Sequence, residues 1–542
     1  MLRMNRPELS RPSLIAAYPF LPLLFVASAI YVLAFIAIGD PGDPASGMPI
    51  ILSGVPLLLD WRGKLRRATA ASVLAVFLTA SNHPAQAQIQ YQTDFPAEEF
   101  QARWDKIFDR IGVNASAIVQ GFPKVNGFMF PRQTNEFYYL CGVETPGSYL
   151  VLDGKTRTAI LYLPPRDERL ERSEGRILSA ADEDLARRIT GAAQVLPTSE
   201  IESTLRRLRA ETGRVIYTPQ APAEGHAQSR GELLSANSSI ASDQWDGRVS
   251  REAHFVSLLR TRSMNIVEVR DLSAILDDLR SIKSPREIAL IKRASQLAGL
   301  GILEAMRTTK SGLYEYQLDA AARYIFLVNG ARLDAYRSIT AAGIDNINNM
   351  HYYRNNDVLR DGDLVLMDYA PDYRYYVSDI GRMWPVSGKF QPWQRELLQF
   401  VLEYRNAILT RIRPGVTAPQ IMEEAQAAME PVLARTKFSK PVYEQGARNL
   451  VATGGGVFSH PVGMSVHDVG DYHRDVLKPG QVFSVDPQLR VPEENLYFRY
   501  EDVVVVTEAG YENFTDFLPT ELTDIEEAVG GDGIVQKFPP TR

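Results

Sequence analysis

Four carboxylates and one imidazole in the C-terminal half of the chain each stand beside an apolar stretch, and these residues are Asp368, Asp379, His460, Asp486 and Glu501. Burying a carboxylate among apolar side chains is unfavourable unless a partner compensates its charge. Carboxylate and imidazole groups are ligands for Mn²⁺, and for Zn²⁺ or Co²⁺ in a carboxylate-rich site. Two such ions side by side would polarise a carbonyl group and generate a bridging hydroxide at neutral pH. Each residue alone could be a solvated surface group, but the set predicts a hydrolase with two divalent metal ions, Mn²⁺ being preferred.

The cysteine count and the net charge exclude several other functions. Cys141 is the single cysteine, so neither an internal disulfide, nor a cysteine zinc cage, nor a CxxC redox pair can form. The formal net charge of −6 argues against a protein that binds nucleic acid by neutralising phosphates. Any metal would therefore be held by oxygen and imidazole ligands, and we expect no nucleic-acid partner.

Two of the aspartates are predicted to lie on a β-hairpin. The apolar run 364–367 predicts a strand that ends at Asp368, and a second predicted strand, Tyr375–Ile380, carries Asp379. The neighbouring strands of a hairpin can present both carboxylates to one place. Adjacent carboxylates repel each other unless a cation or a proton lies between them, so the pair favours a metal site.

Two histidines follow a run of glycines. Gly454–Gly456 precedes His460 and His467, and glycine lets the backbone adopt unusual dihedral angles and approach a ligand closely. The two histidines suit a metal ligand and an acid–base group, although both could equally lie on the surface.

The last two carboxylates are predicted to lie on strands. The run Val482–Val485 predicts a strand that ends in Asp486-Pro487, and Tyr497–Val506 predicts another that is interrupted by Glu501-Asp502. Both acids would therefore be surrounded by apolar side chains.

The N-terminal half alternates helical and strand patterns, which suggests an α/β domain. Helices are predicted over Phe95–Ile111 and Glu200–Thr212. Strands are predicted over Ser116–Phe122, Phe137–Val143, Tyr149–Asp153, Ala159–Leu163 and Arg214–Tyr217. The polar residues 219–249 predict a surface insertion.

A second unit is predicted to begin near Ser281. Ser284 is followed by Pro285 and, three residues after the serine, by Glu287, which is the pattern of a helix start. An amphipathic helix is predicted from there towards Arg307. The last stretch, 530–542, predicts a loose tail.

The first 87 residues carry export signals and are not predicted to belong to the fold. Leu14–Ile38 is an uncharged apolar run long enough to cross a bilayer. Basic residues 62–67 then precede the apolar stretch Ala68–Ala80 and the sequence Ala85-Gln86-Ala87, which is the layout of a secretory signal peptide. Either the true start lies downstream of Met1, or an N-terminal helix anchors the protein in a membrane. Both alternatives predict a periplasmic or extracellular catalytic part.

Several motifs together resemble those of the pita-bread metallopeptidases, and within them those of aminopeptidase P and prolidase. Asp368 and Asp379 lie eleven residues apart in DYAPDYRYYVSD, both histidines lie in SHPVGMSVHDVG, and Glu501 lies in FRYEDVVVVTEAG. The segment FPRQTNEFYYLCGVETPGSYLVLD resembles the N-terminal domain of aminopeptidase P. The matches follow the order of the family and cover residues 95–525.

The resemblance implies a role for each site residue. His351, in NNMHYY, and His467 would bind substrate and stabilise the transition state, and Arg499 would lie near the site. Asp486 would also act as the general base. The ligands of the two metal ions would be Asp368, Asp379, His460, Asp486 and Glu501.

The resemblance also implies an architecture, an α/β (α+β) fold with two domains. A smaller α/β, creatinase-like N-terminal domain would cover residues 88–280, and the pita-bread catalytic domain would cover residues 281–525. Residues 1–87 would be membrane or signal segments, and residues 526–542 a tail. The family further implies a homo-dimer or a homo-tetramer.

Two positions depart from the family pattern. Asp486, in VDPQ, replaces the glutamate of the family's VEPG, and it is shorter by one methylene, or roughly 1–1.5 Å. Gly456 stands where the family usually has a histidine that contacts substrate. His473 could compensate from the following loop, or it could be an exposed loop residue.

The function implied is hydrolysis of an N-terminal Xaa-Pro bond in proline-containing peptides by an exported aminopeptidase P-like enzyme. One alternative is a related hydrolase, such as a prolidase-type dipeptidase or a creatinase-like C–N hydrolase, although creatinase-like enzymes lack the full ligand set. The other is a metal-free pita-bread domain that binds peptides or proteins, which the replacements at Asp486 and Gly456 would favour.

Overall fold

The computed structural model describes residues 91–124, 132–211, 213–262, 268–349, 355–454, 458, 460–473 and 475–540. The predicted membrane and signal segments, His351 and Gly456 lie outside the described residues. Residues Ile89–Arg542 form one compact unit. Within the part of the chain that the structure describes, no helix is both long and apolar enough to cross a membrane.

The N-terminal half is built on a mixed sheet of six strands in the order β4-β3-β2-β1-β5-β6. The strands are β1 (Ala115–Gln120), β2 (Tyr149–Asp153), β3 (Thr158–Leu163), β4 (Gln194–Pro197), β5 (Val215–Thr218) and β6 (Glu268–Asp271). The helices are α1 (Ala97–Ile111), α2 (Asn135–Cys141), α3 (Glu168–Glu174), α4 (Glu183–Thr190), α5 (Ile201–Ala210), α6 (Arg230–Ser242), α7 (Arg251–Thr261) and α8 (Ser273–Ser281).

Alternation along the strands divides the side chains between two cores. Ile118 and Val151 belong to a cluster that includes apolar residues of α5 and α7. Ala117 and Leu150, one residue away on the same strands, belong to the larger cluster that includes α1 and continues into the C-terminal half. Successive side chains of a strand point to opposite faces, so helices cover both faces of this sheet.

The predicted strand Phe137–Val143 is wrong, because this segment forms the helix α2. Every residue of α2 is buried, and Gly142 ends the helix in the left-handed conformation at φ 64°. A short apolar run that is buried on all sides has no periodicity that separates helix from strand. The other predicted strands of this half and the helices 95–111 and 200–212 correspond to observed elements within a few residues.

The C-terminal half combines long helices with small antiparallel sheets. The strands are β7 (Leu333–Asp334), β8 (Ile339–Ala342), β9 (Leu364–Asp368), β10 (Pro371–Asp372), β11 (Gly381–Pro385), β12 (Val482–Val485), β13 (Gln488–Val491), β14 (Leu496–Arg499), β15 (Asp502–Val506) and β16 (Tyr511–Asn513). The helices are α9 (Pro285–Thr308), α10 (Glu315–Val328), α11 (Ile344–Asn348), α12 (Pro392–Leu409), α13 (Ala418–Arg435), α14 (Pro441–Thr453), α15 (Leu522–Ala528) and α16 (Ile534–Lys537).

Helix α9 begins where the sequence predicts. The backbone N–H of Ser284 donates to Glu287 Oε2 at 2.9 Å, and the hydroxyl of Ser284 accepts from the backbone N–H of Glu287 at 3.3 Å. This reciprocal pair satisfies two backbone donors that would otherwise be unpaired at the helix start.

The predicted hairpin that carries the two aspartates is only half correct. Strand β9 ends at Asp368 as predicted. Its partner is β11, which begins two residues after Asp379, so Asp379 itself is not in the paired strand. Residues Arg374 and Tyr375 adopt positive φ angles of 55° and 73°, which turn the chain where a strand was predicted. Tyr138 of α2 stacks on the ring of Tyr375 at a centroid distance of 3.5 Å, so packing against the N-terminal half overrides the local strand preference.

The C-terminal tail is attached to the fold, in contrast to the loose tail predicted over 530–542. The backbone N–H of Ile534 donates to Glu304 of α9 at 2.6 Å, and Gln536 donates to the carbonyl of Thr308 at 2.8 Å. Both hydrogen-bond partners lie more than two hundred residues earlier in the chain, so the composition of the tail itself gives no indication of them.

A buried arginine joins the two halves of the molecule. Arg280 of α8 is only 1% exposed, donates to Glu224 Oε2 at 2.5 Å and also binds Asp468 of the C-terminal half. Glu136 of α2 lies 3.8 Å from the same guanidinium, and burial and the nearby Glu224 raise the pKa of Glu136 to about 7. The guanidinium therefore balances acids that would otherwise be buried without a counter-charge.

We expect Arg280→Leu to lower the free energy of unfolding by about 3–5 kcal/mol, because the substitution leaves buried carboxylates without their cation. Urea denaturation would measure this loss. Arg110→Ala is the control, since Arg110 pairs with Asp278 where both side chains are more than half exposed, and such a pair contributes about 0–1 kcal/mol. Equal effects of the two substitutions would contradict the assignment.

Candidate metal centre

Asp368 and Asp379 converge beside the hydroxyl of Tyr336. Asp368 is the last residue of β9 and lies opposite Gly381 of β11. The Tyr336 hydroxyl lies 2.5 Å from Asp368 Oδ1 and 2.9 Å from Asp379 Oδ1. Both carboxyl groups are buried. Burial and the nearby Asp379 raise the pKa of Asp368 to about 8, although Arg499 opposes the shift.

His460 lies beside Asp379. A bridge between Pro461 and Phe483 holds its segment against β12, and His460 Nε2 lies 3.1 Å from Asp379 Oδ2. Burial alone would lower the pKa of His460, but Asp379 raises it above the ordinary value. Burial would raise the pKa of Asp379, but the neighbouring His460 outweighs this effect and lowers the pKa to about 2. The imidazole therefore favours the ionised form of this carboxylate.

Arg499 is bound to three carboxylates. Its Nη1 lies 2.7 Å from Asp368 Oδ2, its Nε 2.9 Å from Asp486 Oδ1, and its Nη2 2.5 Å from Glu501 Oε2. One cation cannot balance the charges of all these acids, and burial raises the pKa of Glu501 well above its ordinary value. Glu501 Oε1 is buried and has no hydrogen-bond partner within the described ranges, so an acceptor is left for a further cation.

Two groups of ligand atoms could each hold a metal ion. The first consists of Asp368, Asp379 and Glu501, and the second of Asp379, His460 and His467, with the ligand atoms of each group within 4.8 Å of one another. Asp379 is common to both groups, as a bridging ligand between two ions would be. Oxygen and imidazole donors of this kind fit Mn²⁺, Zn²⁺ or Co²⁺, and the unpartnered oxygen of Glu501 supports that fit.

Asp486 belongs to neither group, although the sequence predicts it as a ligand. Its side chain is buried, with Oδ1 bound to Arg499 Nε and Oδ2 bound to the side-chain amide of Gln488. Both oxygens are therefore occupied by protein donors. A role of Asp486 in metal binding stays a prediction.

The other predicted site residues divide into three cases. His467 lies next to the centre, with its ring 4.3 Å from that of His460. His473 binds the carbonyl of Phe458 at 2.9 Å and Asp471 at 3.2 Å, which fits a loop residue. His351 and Gly456 lie outside the described residues.

Tyr336 and Gln488 were not predicted from the sequence. Tyr336 lies in the segment between β7 and β8, far from any motif, and no pattern in the sequence marks it. Gln488 could have been found, because it follows Asp486 by two residues at the start of β13. Side chains two residues apart along an extended chain share a face, as Arg499 and Glu501 also do.

The sequence and the fold match known proteins over most of the described chain. Residues 289–508 match the model of metallopeptidase family M24, and residues 100–217 match the N-terminal domain of aminopeptidase P. Xaa-Pro aminopeptidase 3 of Mus musculus is 33% identical over 73% of this chain and 76% of that protein. Xaa-Pro aminopeptidase of Escherichia coli is 30% identical over 80% of this chain and 98% of that protein.

A solved structure matches as well. Aminopeptidase P from Escherichia coli with the inhibitor Pro-Leu superimposes with a TM-score of 0.64 at 26% identity, over 80% of this chain and 98% of that one. The matches confirm the predicted fold class, in which a pita-bread catalytic domain follows a smaller aminopeptidase P-type N-terminal domain.

We expect Mn²⁺ binding at neutral pH to release protons. Burial raises the pKa of Asp368 to about 8, so this group holds a proton at pH 7 that a metal ion must displace, and burial also raises the pKa of Glu501. Because deprotonation is required, affinity for Mn²⁺ should rise as the pH increases from about 6 to about 8. Titration calorimetry in buffers of different ionisation enthalpy measures the protons released. An affinity independent of pH, or a net uptake of protons, would refute this expectation.

The double substitution Asp486→Glu and Gln488→Gly restores the family's VEPG sequence. We expect this variant to bind Mn²⁺ about 10- to 100-fold more tightly than the native chain, which is the range typical for changes in the groups that orient metal ligands. The longer carboxylate would reach the metal groups, and the amide that now holds Asp486 would be gone. Calorimetry or competition with a chelator would measure the affinity.

The single variants are the controls for that double substitution. Each should give less than half of the double variant's gain in binding free energy, since the two side chains are in contact and their effects are not additive. If the double variant binds no more tightly than the native chain, the length of Asp486 does not limit metal binding.

Proposed function

Since the chain belongs to metallopeptidase family M24, and within it to the Xaa-Pro aminopeptidases, we propose that it removes the N-terminal residue from peptides whose second residue is proline. The observation that carries the proposal is the convergence of Asp368, Asp379, His460 and Glu501 on one buried centre. The retained ligand set supports an enzyme rather than a peptide-binding module. The named relatives supply the substrate class, because they are Xaa-Pro aminopeptidases.

Two divalent metal ions, in our proposal Mn²⁺, would be held by Asp368, Asp379, His460 and Glu501, with Asp486 as a fifth ligand if its contacts rearrange. When bound, such ions supply a hydroxide nucleophile at neutral pH and polarise the scissile carbonyl group. Asp379 faces both ligand groups and stays ionised, since its pKa is lowered to about 2 mainly by His460. Zn²⁺ or Co²⁺ would suit the same donors.

The remaining groups of the chain would move protons and stabilise charge. Asp486 is the proposed proton acceptor, and burial raises its pKa above the ordinary value, which suits a group that takes up and returns a proton. His467 stands beside His460, where its ring could form a hydrogen bond with the substrate and orient it at the centre. His351 is proposed for a related role from the family motif alone.

The contact between the two halves supports an aminopeptidase over a prolidase-type dipeptidase. Asn135 of α2 donates to Ser465 Oγ at 2.9 Å, two residues before His467. Arg132 binds Asp372 Oδ2 at 2.6 Å in a buried pair between the N-terminal half and strand β10. The N-terminal half therefore packs next to the catalytic segments, where it would restrict access to peptide ends.

Two further proposals rest on the sequence. The basic and apolar segments before residue 88 suggest that the catalytic part acts outside the cytoplasm, as a periplasmic or extracellular enzyme that is membrane-anchored if the first segment is retained. Resemblance to the family suggests a homo-dimer or homo-tetramer.

Hydrolysis of Ala-Pro-Ala with added Mn²⁺ tests the proposed activity. The native protein should release free alanine, and Asp368→Asn should reduce the rate by at least about 100-fold because a ligand loses its charge. Bound metal is counted in both proteins, and Ala-Pro serves as the dipeptide substrate. Preference for Ala-Pro over the tripeptide would favour a prolidase-type enzyme. No alanine release from a protein with two bound ions would refute the proposed substrate, and a protein without bound metal would refute the metal mechanism.

A further inference from the structure

The insertion in the N-terminal half reaches the metal centre at His467. Residues 219–249 contain helix α6, and Ser229 immediately precedes that helix. The Ser229 hydroxyl accepts from the backbone N–H of His467 at 3.1 Å, and Glu232 Oε1 lies 2.9 Å from His467 Nδ1. The predicted surface insertion thus makes both a backbone and a side-chain contact to a proposed catalytic residue.

The carboxylate of Glu232 is fixed from two sides. Its Oε2 accepts from the backbone N–H of Ser229 at 3.1 Å, as the third residue of a capping box does. Arg230 anchors the same turn through Asp277, with hydrogen bonds of 3.0 and 3.1 Å. The position of Glu232 is therefore set by the start of α6, and Glu232 in turn sets the position of the imidazole.

Helix α6 itself buries little. None of its residues is buried, so hydrophobic packing does not explain why the helix lies there. The Glu232–His467 pair is about half exposed, with side-chain exposures of 50% and 46%. Exposed ion pairs contribute little to stability, which leaves the orientation of His467 as the main consequence of the contact.

We propose that Glu232 is a positioning residue for His467, which it holds in the tautomer that carries its hydrogen on Nδ1. Glu232 accepts that N–H, and Nε2 is then the ring nitrogen left for the reacting groups. His467 offers a nitrogen within 4.8 Å of ligand atoms of Asp379 and His460, so a ring fixed in this way faces the centre. The effect of this contact on turnover rests on the proposed function, whereas the tautomer of His467 does not depend on that function.

Nitrogen-15 NMR of the histidine rings in the metal-free full-length protein reads the tautomer directly. The signals of His467 are assigned by their loss in His467→Gln. In the native protein we expect Nδ1 to carry the hydrogen. In Glu232→Ala we expect the hydrogen to shift towards Nε2, the tautomer usual for a free imidazole. Glu232→Gln should keep the native tautomer, because its amide oxygen can still accept from Nδ1, whereas its amide nitrogen loses the contact to the backbone N–H of Ser229.

Turnover gives the second readout. Glu232→Ala should lower kcat by about 10-fold or more with little change in KM, since outer hydrogen-bond partners of site histidines typically contribute about 10- to 100-fold. Glu232→Gln should recover most of that loss. Asp246→Ala is the control, because Asp246 lies in the same insertion and pairs with Arg248 away from the centre, and it should leave kcat and the tautomer unchanged.

Two results would overturn the proposal: an unchanged tautomer in Glu232→Ala, or an equal loss of kcat in Asp246→Ala. If the native protein does not hydrolyse Xaa-Pro peptides, the proposed activity fails and the NMR result alone decides the role of Glu232. A shifted tautomer in Glu232→Ala would then still support it.

Discussion

The compensation of buried negative charge is the constraint on which the centre depends. Asp368, Asp379, Asp486 and Glu501 are all at most 3% exposed, and buried carboxylates are unfavourable without partners. Arg499 binds three of them and His460 binds the fourth. This leaves more acidic groups than cationic ones, together with an unpartnered oxygen on Glu501. The same imbalance that makes the bare site unfavourable is what would make it bind divalent cations.

Two adjacent acids serve different purposes: Glu501, immediately before β15, lies at the candidate metal centre, and Asp502, the first residue of β15, forms structural ion pairs. Glu501 faces the centre, whereas the buried Asp502 points the other way and is bound by Arg382 at 2.7 Å and Arg405 at 2.5 Å. Successive side chains along an extended chain lie on opposite faces, so one dipeptide serves both purposes. Burial opposes ionisation of Asp502, but the two arginines lower its pKa well below the ordinary range, and its charge is therefore satisfied within the protein. Of these two acids, Glu501 is the one left for a metal ion.

The N-terminal half takes part in building the site. Arg280 links Glu224 to Asp468, the residue after His467, and Glu232 binds the ring of His467 itself. On the other side of the centre, the stacking of Tyr138 on Tyr375 fixes the turn that precedes Asp379. Movement of the N-terminal half would therefore displace both the segment around His467 and the turn that precedes Asp379. These contacts make the N-terminal half part of the structure that holds the candidate metal centre.

The sequence alone established the fold class, the start of α9 and most of the residues that converge on the candidate metal centre, because strand ends, capping patterns and motif order are local properties. Tertiary structure decided what depends on distant partners: α2 is a helix although its residues predict a strand, Asp379 lies before its strand, and Tyr336 and Glu232 reach the site from segments without a motif. It also decided that Gln488 holds Asp486. A pattern in the chain reports which residues can be buried or charged, whereas a contact forms only when packing brings two segments together.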